Sequence, residues 1–249
     1  MHNAAFASLG MDWAYEMLDI PRSQLAAAVR QLRAPDVGGA NVTIPYKQAV
    51  MEQLDSVAPE ALRARAVNTI VNDRGRLGGF NTDIAAIRLA LEELGVDPPA
   101  ANAVILGGGG AARAAAVAMQ GGHVTFVLRN PSGADVPGKV VGWDDPSAVA
   151  LTRSADVLIN ATPLGRHDEM PLRPGALPKD GAVIDLVYVT GGTPLVRKAR
   201  SLGLSAVDGW EVLLAQGSIS FLLWTGRAAP RDAMRETLDP RARLRSART

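Results

Sequence analysis

Gly107-Gly108-Gly109-Gly110-Ala111-Ala112 fits the spacing G-x-G-x-x-(G/A), and its surroundings give that spacing a chemical meaning. It follows the apolar run Ala103–Leu106 and opens an alanine-rich segment reaching about Gln120. A first glycine permits a sharp exit from a strand. A second lets backbone N–H groups approach a pyrophosphate, and a small third residue lets helix pack on strand. The helix N-terminus then turns its partial positive charge toward the phosphates. A tight turn can carry glycines without any ligand, but within a strand–helix–strand unit the pattern reads as a dinucleotide site.

The next strand selects the dinucleotide. NAD enzymes place an acid about 20 residues beyond the glycines, on the adenosine ribose. Here that region reads Val127-Leu128-Arg129-Asn130, with no acid before Asp135. Arg129 can clamp a 2′-phosphate instead, so NADP(H) is the expected cofactor. The plainer alternative is a solvent-facing strand end.

Four other stretches concentrate polar groups beside turns. They are Asn41-Val42-Thr43-Ile44-Pro45-Tyr46-Lys47, Ala66-Val67-Asn68-Thr69, Asn81-Thr82-Asp83 and Asn160-Ala161-Thr162-Pro163-Leu164-Gly165. Taken singly, each is a capped strand end, a strand or a helix N-cap. Taken together they supply amides, hydroxyls, one ammonium and one carboxylate. A ketone accepting hydride needs a proton donor within reach as charge builds on oxygen. A polyhydroxylated ligand needs fixed amides and hydroxyls, since each unpaired polar group would cost about 1–3 kcal/mol.

The elements that must position these residues alternate between apolar runs and helical periods, which indicates an α/β fold. Pro21–Ala34 reads as a helix with Leu25, Ala28, Val29 and Leu32 on one face. Ala40–Ile44 reads as a strand stopped by Pro45, which then suits the first turn of a helix over Tyr46–Leu54 containing Lys47. Val67–Val71 and Leu77–Phe80 flank Asn72-Asp73-Arg74-Gly75 and should form a hairpin. Asp83 begins a helix carrying Ile84, Ile87, Leu91 and Leu94, ended by Gly95. Farther on, strands are expected at His123–Arg129, Asp156–Asn160, Ala182–Val187 and Ala206–Val207. Helices are expected at Thr193–Leu202, Gly209–Gly226 and Arg231–Leu238. Strand–helix alternation of this kind implies parallel strands and a Rossmann-like domain.

Composition narrows the class. The 249 residues include no cysteine, which removes thiol nucleophiles, disulfides and cysteine-held metals. Three scattered histidines suggest no metal site. A net charge of +1 argues for neither nucleic acid nor membrane as partner. With no membrane-length apolar run or secretory leader, the expected location is cytoplasmic. The basic cluster Pro240–Thr249 reads as a solvated terminus.

In order and combination the motifs resemble the shikimate dehydrogenase family. That family shows N-V-T-(I/V)-P-x-K, A-V-N-T, N-T-D, G-x-G-G-A, N-(A/S)-T-(P/S)-x-G, D-x-x-Y and D-G-x-x-x-L-x-x-Q. The last two stand here as Asp185-Leu186-Val187-Tyr188 and Asp208-Gly209 through Gln216. The resemblance runs from Met1 to about Pro230. It implies hydride transfer between 3-dehydroshikimate and NADP(H), with Lys47 as acid/base and Asp83 orienting it and bonding the same substrate oxygen. It further implies that Asn41, Thr43, Asn68 and Gln216 hold substrate, with Tyr188 at the substrate–cofactor boundary. Gly107, Gly108, Gly109, Gly110, Ala111, Arg129, Asn160, Thr162, Pro163, Leu164, Leu186 and Gly209 match cofactor contacts.

The expected organisation is a catalytic α/β domain over residues 1–82 plus 209–249, its C-terminal helices returning to it, and an NADP-binding domain over 83–208. A monomer or homodimer is expected. The family's H-S-x-S-P segment has no counterpart; the expectation is that the sequence is truncated upstream of Met1, the alternative being a genuinely shortened protein with weak or lost shikimate binding. Smaller departures are Arg65 at a usual glycine, Ala85 and Ala86 where glycine is common, Arg166 for methionine, and Leu128-Arg129-Asn130 for N-R-T. A quinate or aminated-shikimate paralogue, or a nucleotide-binding protein without activity, remain as alternatives.

Overall fold

The computed structural model describes residues 1–238, so the basic cluster Pro240–Thr249 lies outside it. One unit comprises Met1–Thr82 and the chain from Leu214 onward; the other comprises Asp83–Leu213. The first is built on a four-stranded sheet of β1 (Gly39–Asn41), β2 (Ser56–Val57), β3 (Thr69–Asp73) and β4 (Arg76–Phe80), in the order β1-β3-β4-β2. β3 and β4 form the expected hairpin through Arg74 and Gly75, whose φ values of 52° and 87° match the turn that suits strand twist. Val29, Val50, Ala61, Val67, Ile70 and Leu77 close over this sheet as one core.

Helices α1 (His2–Ser8), α2 (Leu25–Gln31) and α3 (Pro59–Ala64) surround the sheet, and α4 (Thr82–Glu93) begins where β4 ends. Neither α1 nor α3 is among the elements expected from sequence. For α3 the signal was present, a proline at its first position. In α1 the seven residues HNAAFAS have no capping side chain and too few apolar positions for a period. β1 ends at Asn41, three residues short of Ile44, and the Ile44–Pro45 bond is cis.

The helix expected over Tyr46–Leu54 is a 3-10 segment, Ala49–Gln53, and Lys47 lies in the turn before it. The cause is a competing donor. The Lys47 carbonyl receives the N–H of Val67 at 2.7 Å, so it is turned toward the sheet rather than along a helix axis.

In the second unit, β5 (Asn102–Leu106), β6 (His123–Leu128), β7 (Lys139–Gly142), β8 (Val157–Asn160), β9 (Ala182–Asp185) and β10 (Ala206–Val207) form a six-stranded sheet. Every pair is parallel and the order is β10-β9-β8-β5-β6-β7. Counted within the unit this is 3-2-1-4-5-6 read from the β7 edge, the doubly wound order with its reversal between β5 and β8. Both faces are covered, so Val157–Asn160 and Ala182–Asp185 are buried throughout and read as apolar runs rather than alternating strands. The remaining helices are α5 (Gly110–Ala118), α6 (Pro146–Arg153), α7 (Pro194–Ser201), α8 (Gly209–Thr225) and α9 (Arg231–Glu236). Residues of α8 from Leu214, with α9, pack on α1 through Ala5, Phe6, Leu214, Phe221 and Met234.

Candidate active site

In the first unit, residues from four separated motifs share one buried hydrogen-bonded cluster. The Asn68 Oδ1 accepts from the Thr82 N–H at 2.8 Å, the Thr69 hydroxyl at 3.0 Å and the Thr82 hydroxyl at 3.2 Å. Thr82 Oγ1 also lies 3.3 Å from Gln216 Oε1. Asn41 Nδ2 donates to the Asn68 carbonyl, to Thr69 and to Ser220, while its Oδ1 accepts from the Tyr15 hydroxyl at 3.1 Å. Asn81 donates to the Ala66 carbonyl and ties the chain entering α4 to the A-V-N-T stretch. Of the expected substrate residues, the fold therefore brings Asn41, Asn68 and Gln216 together. Thr43 stands exposed in the turn that follows, its carbonyl receiving the Tyr46 N–H.

Lys47 is half-buried and its backbone is pinned to Val67 beside this cluster. Asp83, also half-buried, directly follows Thr82 in the first turn of α4. An acid there also gains from the helix N-terminus, so a purely structural role competes with a chemical one. Nearby, His2 is buried between the rings of Tyr15 and Trp224. Burial chiefly, then the adjacent chain N-terminus, pushes its pKa down to about 4.

In the second unit the expected nucleotide residues gather at the C-terminal ends of β5, β6, β8 and β9. Gly107 has φ 97°, and a Cβ there would press on Thr162 and the Ala161 carbonyl at 3.1–3.2 Å. Gly108 lies against Leu128, whereas the space beside Gly109 is open. Gly110 and Ala111 begin α5. Arg129 follows β6, is exposed and has no partner among the described residues. An open backbone at a helix N-terminus beside an unengaged guanidinium fits a dinucleotide with a 2′-phosphate.

The N-A-T-P-L-G loop is organised from within. Asn160 accepts from the Thr162 N–H and hydroxyl, and donates to the Leu164 carbonyl and to Asp185. Pro163 lies between these anchored residues. Glu169 closes the loop by accepting from the Gly165 and His167 N–H groups. Its own N–H and these two hold its carboxyl below the usual range. Leu186 donates to the Asn160 carbonyl, which ties the exit of β9 to the end of β8. Tyr188 is exposed with its ring 5.0 Å from Trp210. A Cβ on Gly209 would collide with Val187 and Tyr188, so glycine is required where α8 starts.

Several participants escaped the reading of the sequence. Tyr15 belongs to no motif and gave no signal. Ser220 is four residues beyond Gln216 on the same face of α8, a signal available from helical period alone. Asp185 stands in a motif that gives it no role; it is fully buried, and burial pushes its carboxyl up against hydrogen bonds from Thr193, Val187 and Asn160.

By fold and loop chemistry, this is a Rossmann-type dinucleotide-binding protein carrying a second α/β unit. The family models for the shikimate dehydrogenase substrate binding domain and the shikimate 5′-dehydrogenase C-terminal domain match residues 1–70 and 209–238. The chain belongs to the shikimate dehydrogenase family, NADP-dependent oxidoreductases acting on a CH–OH group. It is 42% identical to the shikimate dehydrogenase (NADP(+)) of Symbiobacterium thermophilum, across 94% of this chain and 86% of that one. Among solved structures, shikimate 5-dehydrogenase from Thermus thermophilus, in complex with NADP(H) and shikimate, is 36% identical. Its TM-score is 0.85, over 97% of this chain and 92% of that one. A ligand-free 5-ketofructose reductase of a Gluconobacter strain is also similar, at 33% identity and TM-score 0.81, over 95% and 90%. No helix among the described residues is long and apolar enough to cross a membrane.

Proposed function

We propose that this chain catalyses the reversible NADPH-dependent reduction of 3-dehydroshikimate to shikimate, a step toward chorismate and the aromatic amino acids. The observation that carries this reading is the convergence of Asn41, Asn68, Thr82 and Gln216 on one buried polar cluster. A ring bearing several hydroxyls requires such a set of fixed amides and hydroxyls.

The nicotinamide, when bound, supplies or accepts the hydride. Lys47 gives a proton to the ketone oxygen in reduction and takes one from the hydroxyl in the reverse direction. Asp83 orients the ammonium and bonds the same oxygen. Asn41, Thr43, Asn68 and Gln216 hold the hydroxyls and carboxylate, and Tyr188 bounds the nicotinamide side. Gly107 to Ala111 receive the pyrophosphate and Arg129 the 2′-phosphate. Asn160, Thr162, Pro163, Leu164, Leu186 and Gly209 shape the rest of the cofactor site. In this reading residues 1–82 with 209–249 serve the substrate, and 83–208 serve the cofactor.

The enzyme of this reading works on a small molecule in the cytoplasm as a monomer or homodimer, and the near-neutral charge argues against a nucleic-acid partner. The similarity to 5-ketofructose reductase gives the substrate assignment a specific competitor. NADP+ reduction assayed with shikimate and with quinate, and NADPH oxidation with 5-ketofructose, separates the readings. Shikimate should give the highest kcat/KM; a preference for either other substrate overturns the assignment. Lys47→Ala should lower kcat by at least about 100-fold with shikimate affinity changed only a few-fold. A variant with unchanged kcat rejects Lys47 as the proton donor.

A further inference from the structure

Ser220 is fully buried in α8 and sits at the midpoint of the polar cluster. Its Oγ lies 2.9 Å from Thr69 Oγ1, 3.3 Å from Thr82 Oγ1, 3.1 Å from Asn41 Nδ2 and 3.0 Å from the Gln216 carbonyl. No motif assigns it a part.

A backbone N–H only donates, so the Asn68 atom facing the Thr82 N–H at 2.8 Å must be its oxygen. The Asn68 carbonyl only accepts, so the Asn41 atom facing it at 3.2 Å is the NH2, which also donates to Thr69 and Ser220. With their lone pairs taken from that side, the hydroxyl protons turn onward. The Thr69 proton points to Asn68 Oδ1. Asn68 Oδ1 thus accepts from three donors, and Asn68 Nδ2 has no partner among the described residues. The Asn68 amide is left presenting donors.

We propose that Ser220 is a positioning residue for substrate recognition. With Thr69 and Thr82 it fixes the plane of the Asn68 amide, whose polarity the Thr82 N–H sets, so that the site aims an N–H pair at a ligand hydroxyl or carboxylate oxygen. It touches no substrate itself. Without its Oγ, Asn41 loses an acceptor and both threonine hydroxyls lose a neighbour, so they can rotate away from Asn68. The Thr82 N–H still selects the oxygen, but the amide plane can then tilt and aim its N–H pair away from the ligand.

This inference rests on the shikimate assignment, and the test separates the two. Ser220→Ala keeps the helix, since alanine is the best helix former. In the full chain its KM for shikimate should rise about tenfold, the value of roughly one misaligned hydrogen bond. Its kcat and its KM for NADP+ should stay close to the parent's, while the melting temperature falls by a few degrees for the lost buried hydrogen bonds. In an Asn68→Ala background the same change should do little, because the effect passes through Asn68. An unchanged shikimate KM overturns the proposal. So does an equal rise in the KM for shikimate and for NADP+, or an equal effect with and without Asn68. If the parent chain does not oxidise shikimate at all, the functional reading falls first and takes this inference with it.

Discussion

Arg65 adopts φ 47° and ψ 41° at the end of α3, a left-handed conformation that glycine takes without penalty. The family resemblance puts a glycine there, and the backbone shows why one would suit. A side chain in this region costs about 1–2 kcal/mol, while glycine gives part of that back through its freer unfolded chain. The Arg65→Gly change should therefore stabilise the protein by about 0.5–1 kcal/mol, seen as a melting temperature roughly 1–4 °C higher. A lower melting temperature would mean that the arginine side chain contributes more than its backbone costs. At the same scale, the meaning of Asn68 comes less from its identity than from what surrounds it. Three donors on one oxygen decide which end of the amide is offered outward.

Single elements are held in register by buried side chains at their ends. Thr193 shows this for α7: its hydroxyl oxygen accepts from the Val196 N–H, and its proton goes to the buried Asp185 at 2.6 Å. Removing it strips the cap and leaves a carboxyl oxygen without that donor. Thr193→Ala should cost about 1–3 kcal/mol in denaturant unfolding. A loss under about 0.5 kcal/mol would show that water replaces both bonds. Elements with a strong pattern were legible from sequence: the apolar runs of β5, β6, β8 and β9, the turn of the hairpin, and α4 with its ending glycine. β7 and α6 were not, because KVVG has only two strongly apolar residues and PSAVALTR lacks a clear period. The turn around Lys47 was misread because its local sequence favours a helix, whereas the partner that decides it is Val67, twenty positions away. The site followed the same rule. Its motif residues are visible, but Tyr15 joins only through a long-range bond, and Ser220 offers nothing beyond its helical spacing from Gln216.

For the molecule as a whole, the choice between dinucleotides is the most accessible property. Arg129 leaves β6 exposed and unengaged among the described residues, with no acid beside it until Asp135. Arg129→Ala should raise the KM for NADP+ roughly tenfold or more, as expected for a charge-assisted bond to phosphate. The KM for NAD+ should change little. Equal effects on both would place the guanidinium elsewhere than at the 2′-phosphate.

The first unit is also discontinuous: its sheet lies before residue 83, and the helix bearing Ser220 begins its part at Leu214. Thr69 and Ser220 are 151 positions apart. A ribosome adding about 5–20 residues per second needs on the order of ten seconds to span that interval. During that time Asn41, Thr69 and Thr82 have emerged without the serine that completes their bonding. The nucleotide-binding half, finished earlier, is free to fold ahead of the half translated first.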